Sequence, residues 1–541
     1  MTYDNGGTLL VAVLKELGID TVFGIVSVHN LPLVEAVDRE LRFVPVRHEA
    51  TAVNAADAYG RARGSIGCAL TSTGTGAGNA AGSLIEALAS GTSVLHVTGQ
   101  VESRFLGSGR GFIHETKDQL GMLGAVSAYA ATVGSAADAG RTLREAARAA
   151  LAAPGGPASV EWPIDLQYAA QTDETADVPA ATAPVPDAAR LVSAAALLGA
   201  ARRPLVWAGG GANGARAELA ALVEATGAGL LTSNSGRGSV PEDHPQVIGN
   251  FATTPAGRAL LADADLLLSV GTHFRSNETA DYGLELPAAH IQIDIDPAAL
   301  GRAYPAAHTL HGDAAATLAA LLPHAGNADP EWTRRVRRVR DDVRATLHDT
   351  IGPQAAICDA LRAVLPRDAV VARDVTIASS SWGNRLLEMY DPRANVFPRG
   401  GGIGQGLGMG IGAALAAPER PTVVIAGDGG LAVHLGELLT VAQERPRLTV
   451  LVFNDGGYGV LRNMQDRYSE RRSGVDLTTP DFELLARACR LPYLRIADAE
   501  QARPVIERAV ASEGPTLVEV DLAALGPMKN PFTPPVKIPG T

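Results

Sequence analysis

Short apolar runs alternate with helical patterns along almost all of this 541-residue chain, and that alternation restricts the fold more than any other feature. In the first part, DTVFGIV, LPLVEAVDREL, SIGCALTST, AAGSLIEALASG and SVLHVTG follow one another. Parallel strands need long crossovers, usually helical, so this pattern implies parallel sheets with helices on their faces. It breaks twice. The stretch QTDETADVPAATAPVPDA, about 171–187, has no apolar periodicity and reads as a linker. The arginine-rich EWTRRVRRVRDDVRATLHD, with interleaved acids, reads as a solvated helix face packed between domains.

The expected architecture is therefore α/β, with three open parallel-sheet domains at 1–170, 188–323 and 350–527, the first and third being counterparts. The tail 528–541 contains Pro531, Pro534, Pro535 and Pro539; it cannot be helical and is expected as an extended arm or lid.

Composition narrows the function. With 46 Lys+Arg against 58 Asp+Glu the net charge is −12, which argues against nucleic acid or an anionic membrane surface as a partner. Cys68, Cys358 and Cys489 are too few and too scattered for a disulfide scaffold or zinc cluster. No apolar run approaches the roughly 20 residues of a membrane span and the N-terminus has no leader pattern, so a cytoplasmic protein is expected. Lys15, Lys117, Lys529 and Lys537 are the only lysines, and none lies in a Gly-rich phosphate-binding stretch, which disfavours Schiff-base chemistry.

Open α/β sheets bind ligands at the carboxyl ends of their strands. Two such ends stand out in TVVIAGDGGLAVHLGELLTVAQERPRLTVLVFNDGGYG. The first strand ends at Gly427-Asp428-Gly429-Gly430 and the second at Asn454-Asp455-Gly456-Gly457, with Asp428 and Asp455 separated by 455 − 428 = 27 residues, as a β-α-β unit places them. Carboxylates beside a Gly-rich turn at a helix start suit a hard divalent cation together with a diphosphate. Each turn alone would be read as a helix cap.

This GDG…ND element resembles the GDG…NN motif of the thiamine diphosphate enzymes that include acetolactate synthase, pyruvate decarboxylase, pyruvate oxidase and benzaldehyde lyase. The resemblance extends over nearly the whole chain and implies pyrimidine-binding, central and diphosphate-binding domains in that order. It implies thiamine diphosphate and Mg²⁺ as cofactors, with Asp428, Asp455 and the Gly457 carbonyl as metal ligands and Gly429, Gly430 and Tyr458 beside the diphosphate. Asp455 departs from the motif's asparagine but still offers a hard oxygen.

In VPVRHEATAVNAADAYGRARG, Glu49 matches the family glutamate that bonds the aminopyrimidine ring and promotes loss of the thiazolium C2 proton. In RGGGIGQGLGMGIGAAL, the Gly401 carbonyl and the Ile403 side chain match the groups that hold the cofactor bent, and Thr376 in RDVTIASSSWG matches a diphosphate contact. Two loop histidines complete the expected catalytic set. His29 stands in FGIVSVHN, as in benzaldehyde lyase, and His114 in GRGFIHETK, where synthases carry Phe-Gln-Glu; both suit proton transfer.

The central block carries Gly209, Gly211 and Gly214 in a GxGxxG pattern, but the next strand ends in Thr232, Ser233 and Asn234 with no acid for a ribose. A Rossmann-like domain without NAD is expected; FAD, kept here by some relatives, is the lesser alternative. Past the second metal ligand, Gly459-Val460-Leu461-Arg462 contains no acid to protonate a carbanion equivalent, and Arg462 is read either as an acceptor-carboxylate partner or as surface cover. The expected activity is decarboxylation of a 2-oxo acid with carboligation to an acceptor carbonyl. The alternatives are cleavage of a 2-hydroxy ketone and a flavin-dependent oxidase. Because Glu49 and the metal site lie in different domains, the resemblance also implies a homodimer or homotetramer.

Overall fold

The computed structural model describes residues 1–173 and 183–534. Most of the expected linker and the end of the proline-rich tail lie outside the described residues. Three six-stranded sheets, all parallel, follow one another along the chain. Strands such as Thr422–Gly427 and Gly67–Thr71 are buried along their whole length, because helices cover both faces of a parallel sheet.

The first sheet holds Thr21–Gly24, Arg42–Pro45, Gly67–Thr71, Val94–Gln100, Tyr129–Thr132 and Pro157–Pro163. The third holds Val370–Arg373, Asn395–Val396, Thr422–Gly427, Leu448–Asn454, Tyr493–Ile496 and Thr516–Asp521. Numbered along the chain, both have the spatial order 2-1-3-4-6-5, so the first and third units are topological counterparts. The middle sheet, from Pro204–Ala208 to His308–His311, has the order 3-2-1-4-5-6 of the dinucleotide-binding fold. In each counterpart sheet the chain reverses direction between its first and third strands, and a crevice opens there.

The first and third units share one core: Phe23, Ala52, Ala55 and Tyr59 pack in the same cluster as Leu407, Ile411, Val424 and Val450. The seam is a helix pair, Glu49–Arg63 against Gly406–Ala416. Small residues let the two backbones approach closely; a Cβ on Gly412 would stand 2.0 Å from the Ala55 carbonyl oxygen. Replacing a mid-helix glycine by alanine ordinarily gains up to about 1 kcal/mol, but overpacking costs about 1–3 kcal/mol. Gly412→Ala is therefore expected to lower stability, read as a reduced Tm by differential scanning calorimetry.

The arginine-rich segment forms the helix Pro330–Thr350, burying Trp332, Val336 and Val343. It does pack between units: Arg344 pairs with Glu388 and also donates to the Glu242 carbonyl. In the tail, the Phe532 carbonyl accepts from Asn463 Nδ2 at 2.9 Å, which lays the chain across the helix Gly459–Tyr468. Among the described residues no helix is long and apolar enough to cross a membrane.

Candidate active site

The strand Thr422–Gly427 runs into the short helix Asp428–Val433, and its neighbour Leu448–Asn454 ends at the adjoining turn. Asp428 is buried; its carboxylate accepts from Gly457 N at 2.7 Å and more weakly from Asp455 N at 3.4 Å. Asp455 Oδ1 is buried without a hydrogen-bond partner. Burial raises the Asp428 pKa, and burial with the neighbouring Asp428 charge raises Asp455 to about 6.

Two desolvated carboxylates repelling each other across one turn, with Asp455 Oδ1 unbonded and the Arg462 guanidinium 3.6 Å from it, suit a hard divalent cation. The Gly457 carbonyl faces the same place, since a Cβ on Gly429 would meet it at 2.9 Å and the Tyr458 ring at 2.8 Å. Thr376 closes the other side, its hydroxyl 2.9 Å from where a Gly427 Cβ would be. Bare glycines thus leave backbone N–H groups open beside the two acids, as a diphosphate requires. No group of three or more His, Cys, Asp or Glu side chains placed to hold a metal occurs among the described residues; the set assembled here is two carboxylates and a carbonyl.

Arg462 does neither of the things expected of it. Its guanidinium donates to the carbonyls of Asp455 and Gly456 at 3.0 and 3.1 Å and pairs with Asp476 at 2.7 Å. It braces the turn that carries Asp455 and Gly457.

On the other side, Glu49 is the first residue of its helix and is buried, with Asn79 Nδ2 donating to its Oε2 at 3.0 Å. Asn79 belongs to the helix Thr75–Ser90. One face of that helix holds three things: Asn79 bonds Glu49, Ser83 bonds Gln405, and Glu86 accepts from Gly400 N and Gly402 N at 2.6 and 2.7 Å. The loop carrying Gly401 and Ile403 is thereby tied to the unit that carries Glu49. Asp374, at the end of Val370–Arg373, secures the same loop through Gly404 N and Gly406 N. Gly401 has φ +95°, which favours glycine, and Ile403 remains 40% exposed, its side chain free to meet a ligand.

His29 and His114 come together edge to face, ring centroids 5.3 Å apart. His29 is buried with Nδ1 unpartnered, whereas His114 is exposed with φ +67°. Burial, and then the proximity of His114, lowers the His29 pKa, so its imidazole is neutral at pH 7. The loop before His114 is shaped by Glu115, which collects the N–H groups of Gly109, Gly111 and Phe112.

Asn79, Glu86 and Asp374 were not singled out from the sequence. Only Asp374 carried a signal there, as an acid directly after an apolar strand. In the central unit, Thr232 ends its strand without an acid, as expected, but Asp294 at the end of His290–Asp294 lines the cleft beside Gly210 and Gly211.

Family models described as the N-terminal TPP binding domain, central domain and C-terminal TPP binding domain of thiamine pyrophosphate enzymes match residues 4–122, 191–321 and 377–520. The chain is 35% identical over 523 residues to a probable 2-ketoarginine decarboxylase of Pseudomonas aeruginosa, covering 95% of this chain and 93% of that one. It is 29% identical over 539 residues to the acetolactate synthase isozyme 2 large subunit of Escherichia coli, with 96% of each covered. A probable acetolactate synthase large subunit of Methanocaldococcus jannaschii is 28% identical over 557 residues, with 97% and 93% covered. Three matched domains in order and full-length similarity place this α/β chain in the thiamine pyrophosphate enzyme family.

Proposed function

We propose that the protein decarboxylates a 2-oxo acid and joins the remaining carbon unit to an acceptor carbonyl. Bound thiamine diphosphate supplies the nucleophilic carbon and the electron sink that let CO₂ leave. Asp428, Asp455 and the Gly457 carbonyl hold the Mg²⁺, while Gly429, Gly430, Thr376 and Tyr458 receive the diphosphate. Glu49 holds a proton at the carboxylate oxygen that Asn79 does not occupy, and the Gly401 carbonyl and Ile403 orient the cofactor rings.

The observation that carries carboligation is the first turn of Gly459–Tyr468. It presents Leu461, about half exposed, and no acid, and its arginine is consumed by the Asp455 turn. Such an apolar wall offers no proton to the reacting carbon. The His29–His114 pair favours a second reading, in which a proton passes through the imidazoles and an aldehyde is released. The name of the Pseudomonas relative agrees with that reading and suggests a guanidino 2-oxo acid among the substrates to test.

A second copy is proposed to complete the site, because Val26, Val28, Ile113, Ile403, Val433 and Leu461 leave apolar side chains exposed around it. The test supplies Mg²⁺, thiamine diphosphate and a panel of 2-oxo acids that includes 2-ketoarginine, with and without aldehyde acceptors, and follows CO₂ and products by mass spectrometry. CO₂ with a chiral 2-hydroxy ketone is the expected result. CO₂ with aldehyde alone selects the second reading, and cleavage of an added 2-hydroxy ketone without CO₂ from any acid overturns both.

A further inference from the structure

Beside the strand-end site, one cavity gathers three arginines against two acids. It measures about 530 Å³ and lies between the central and C-terminal units, beside Gly400 and Gly401. Arg275, Arg373 and Arg399 line it, and each hydrogen-bonds neutral oxygens. Arg275 donates to the carbonyls of Arg399 and Ala89, Arg373 to the side-chain oxygens of Asn384 and Asn395, and Arg399 to the Ser90 carbonyl. The Arg373 and Arg399 guanidiniums lie 4.8 and 5.7 Å from the centroid of one ring, Phe397, which keeps the two like charges close together.

Arg373 is fully buried, and the Nε atoms of Arg373 and Arg399 have no partner. The Ser379 hydroxyl, on the same wall, is buried and unpartnered as well. Two acids also line the cavity. Asp374 gives its carboxylate to the N–H groups of Val375, Gly404 and Gly406, and Glu278 accepts from Asn234 N with its pKa raised by burial. Burial, then the Arg61 and Arg275 charges, pulls Arg399 down to about 9, and burial holds Arg373 well below the usual arginine range. Glu278 acts electrostatically on Arg275 and Arg399, yet three guanidiniums face two lining acids, and surplus buried positive charge beside an idle hydroxyl is costly.

We infer that this chamber binds a phosphate group, free or as a phosphomonoester, through Arg275, Arg373, Arg399 and Ser379. The unpartnered Nε–H groups of Arg373 and Arg399, the remaining guanidinium N–H groups and the Ser379 hydroxyl offer more donors than the two oxygens of a carboxylate accept, and they match the terminal oxygens of a phosphate.

The test titrates inorganic phosphate, and separately glycerol 3-phosphate, into protein already saturated with thiamine diphosphate and Mg²⁺, so that the cofactor's own diphosphate position is filled. Calorimetry is expected to show one site per chain, weakened at least tenfold in Arg399→Gln and Arg275→Gln. Arg275 is only half-buried, so its variant keeps the test alive if substitutions deeper in the chamber unfold the protein. Tighter binding of glycerol 3-phosphate makes the ligand an ester, and equal binding makes it free phosphate; both support the site. Loss of all binding once the cofactor is loaded, or unchanged affinity in both arginine variants, overturns it.

Discussion

Glu49→Gln is expected to yield a folded protein that still binds thiamine diphosphate yet turns over at least about 100-fold more slowly, within the 10²–10⁴ range of a positioned acid or base. The fold should survive because a glutamine carbonyl oxygen can keep the Asn79 bond at the helix start. The amide has no acidic proton to pass to and from a ring nitrogen, so loss falls on the chemical step and not on binding. Steady-state kcat on whichever 2-oxo acid is accepted, beside circular dichroism and a cofactor titration, separates the two. Turnover equal to the wild type would remove Glu49 from the mechanism.

Asp428→Ala is expected to act on binding instead. The substitution deletes a hard oxygen and leaves the Gly457 N–H, bonded at 2.7 Å, without its acceptor. Groups that only support a metal ligand cost about 10–100-fold when removed, so apparent affinity for thiamine diphosphate with Mg²⁺ should fall at least about 100-fold, read by fluorescence titration. Asp455→Asn makes the contrasting variant. It restores the neutral residue of the family motif and ends the repulsion between the Asp428 and Asp455 carboxylates, so affinity should hold within about threefold, on the order of 0.6 kcal/mol. Equal affinity in Asp428→Ala and the wild type would mean that the cation sits elsewhere.

The three sheets were legible because each strand is a short apolar run and each crossover a helical pattern, and two turns rich in Gly and Asp at β-α-β spacing marked the candidate site. What the sequence hid was contact between units. Glu86 looks like any acid on a helix, and only its position against the N–H groups of Gly400 and Gly402 gives it a task. Arg462 shows the opposite failing. A lone arginine beside a presumed pocket suggests a substrate anion, yet carbonyls six and seven residues away in sequence take its donors first. An acid at the strand ends of the central unit was sought on the second strand of its sheet, while Asp294, which lines the cleft, ends the fifth.

The helix Thr75–Ser90 has a consequence for how this enzyme can change. From Asn79 to Glu86 is seven residues, about 10 Å of helix at 1.5 Å per residue, and that rigid length spans from the buried acid to the glycine loop. The loops bearing His29 and His114 are anchored by other bonds, to Gln167 and to Glu115. In the proposed site, substitutions in those loops would therefore change what surrounds the two histidines while leaving the bonds between the helix Thr75–Ser90 and the glycine loop in place.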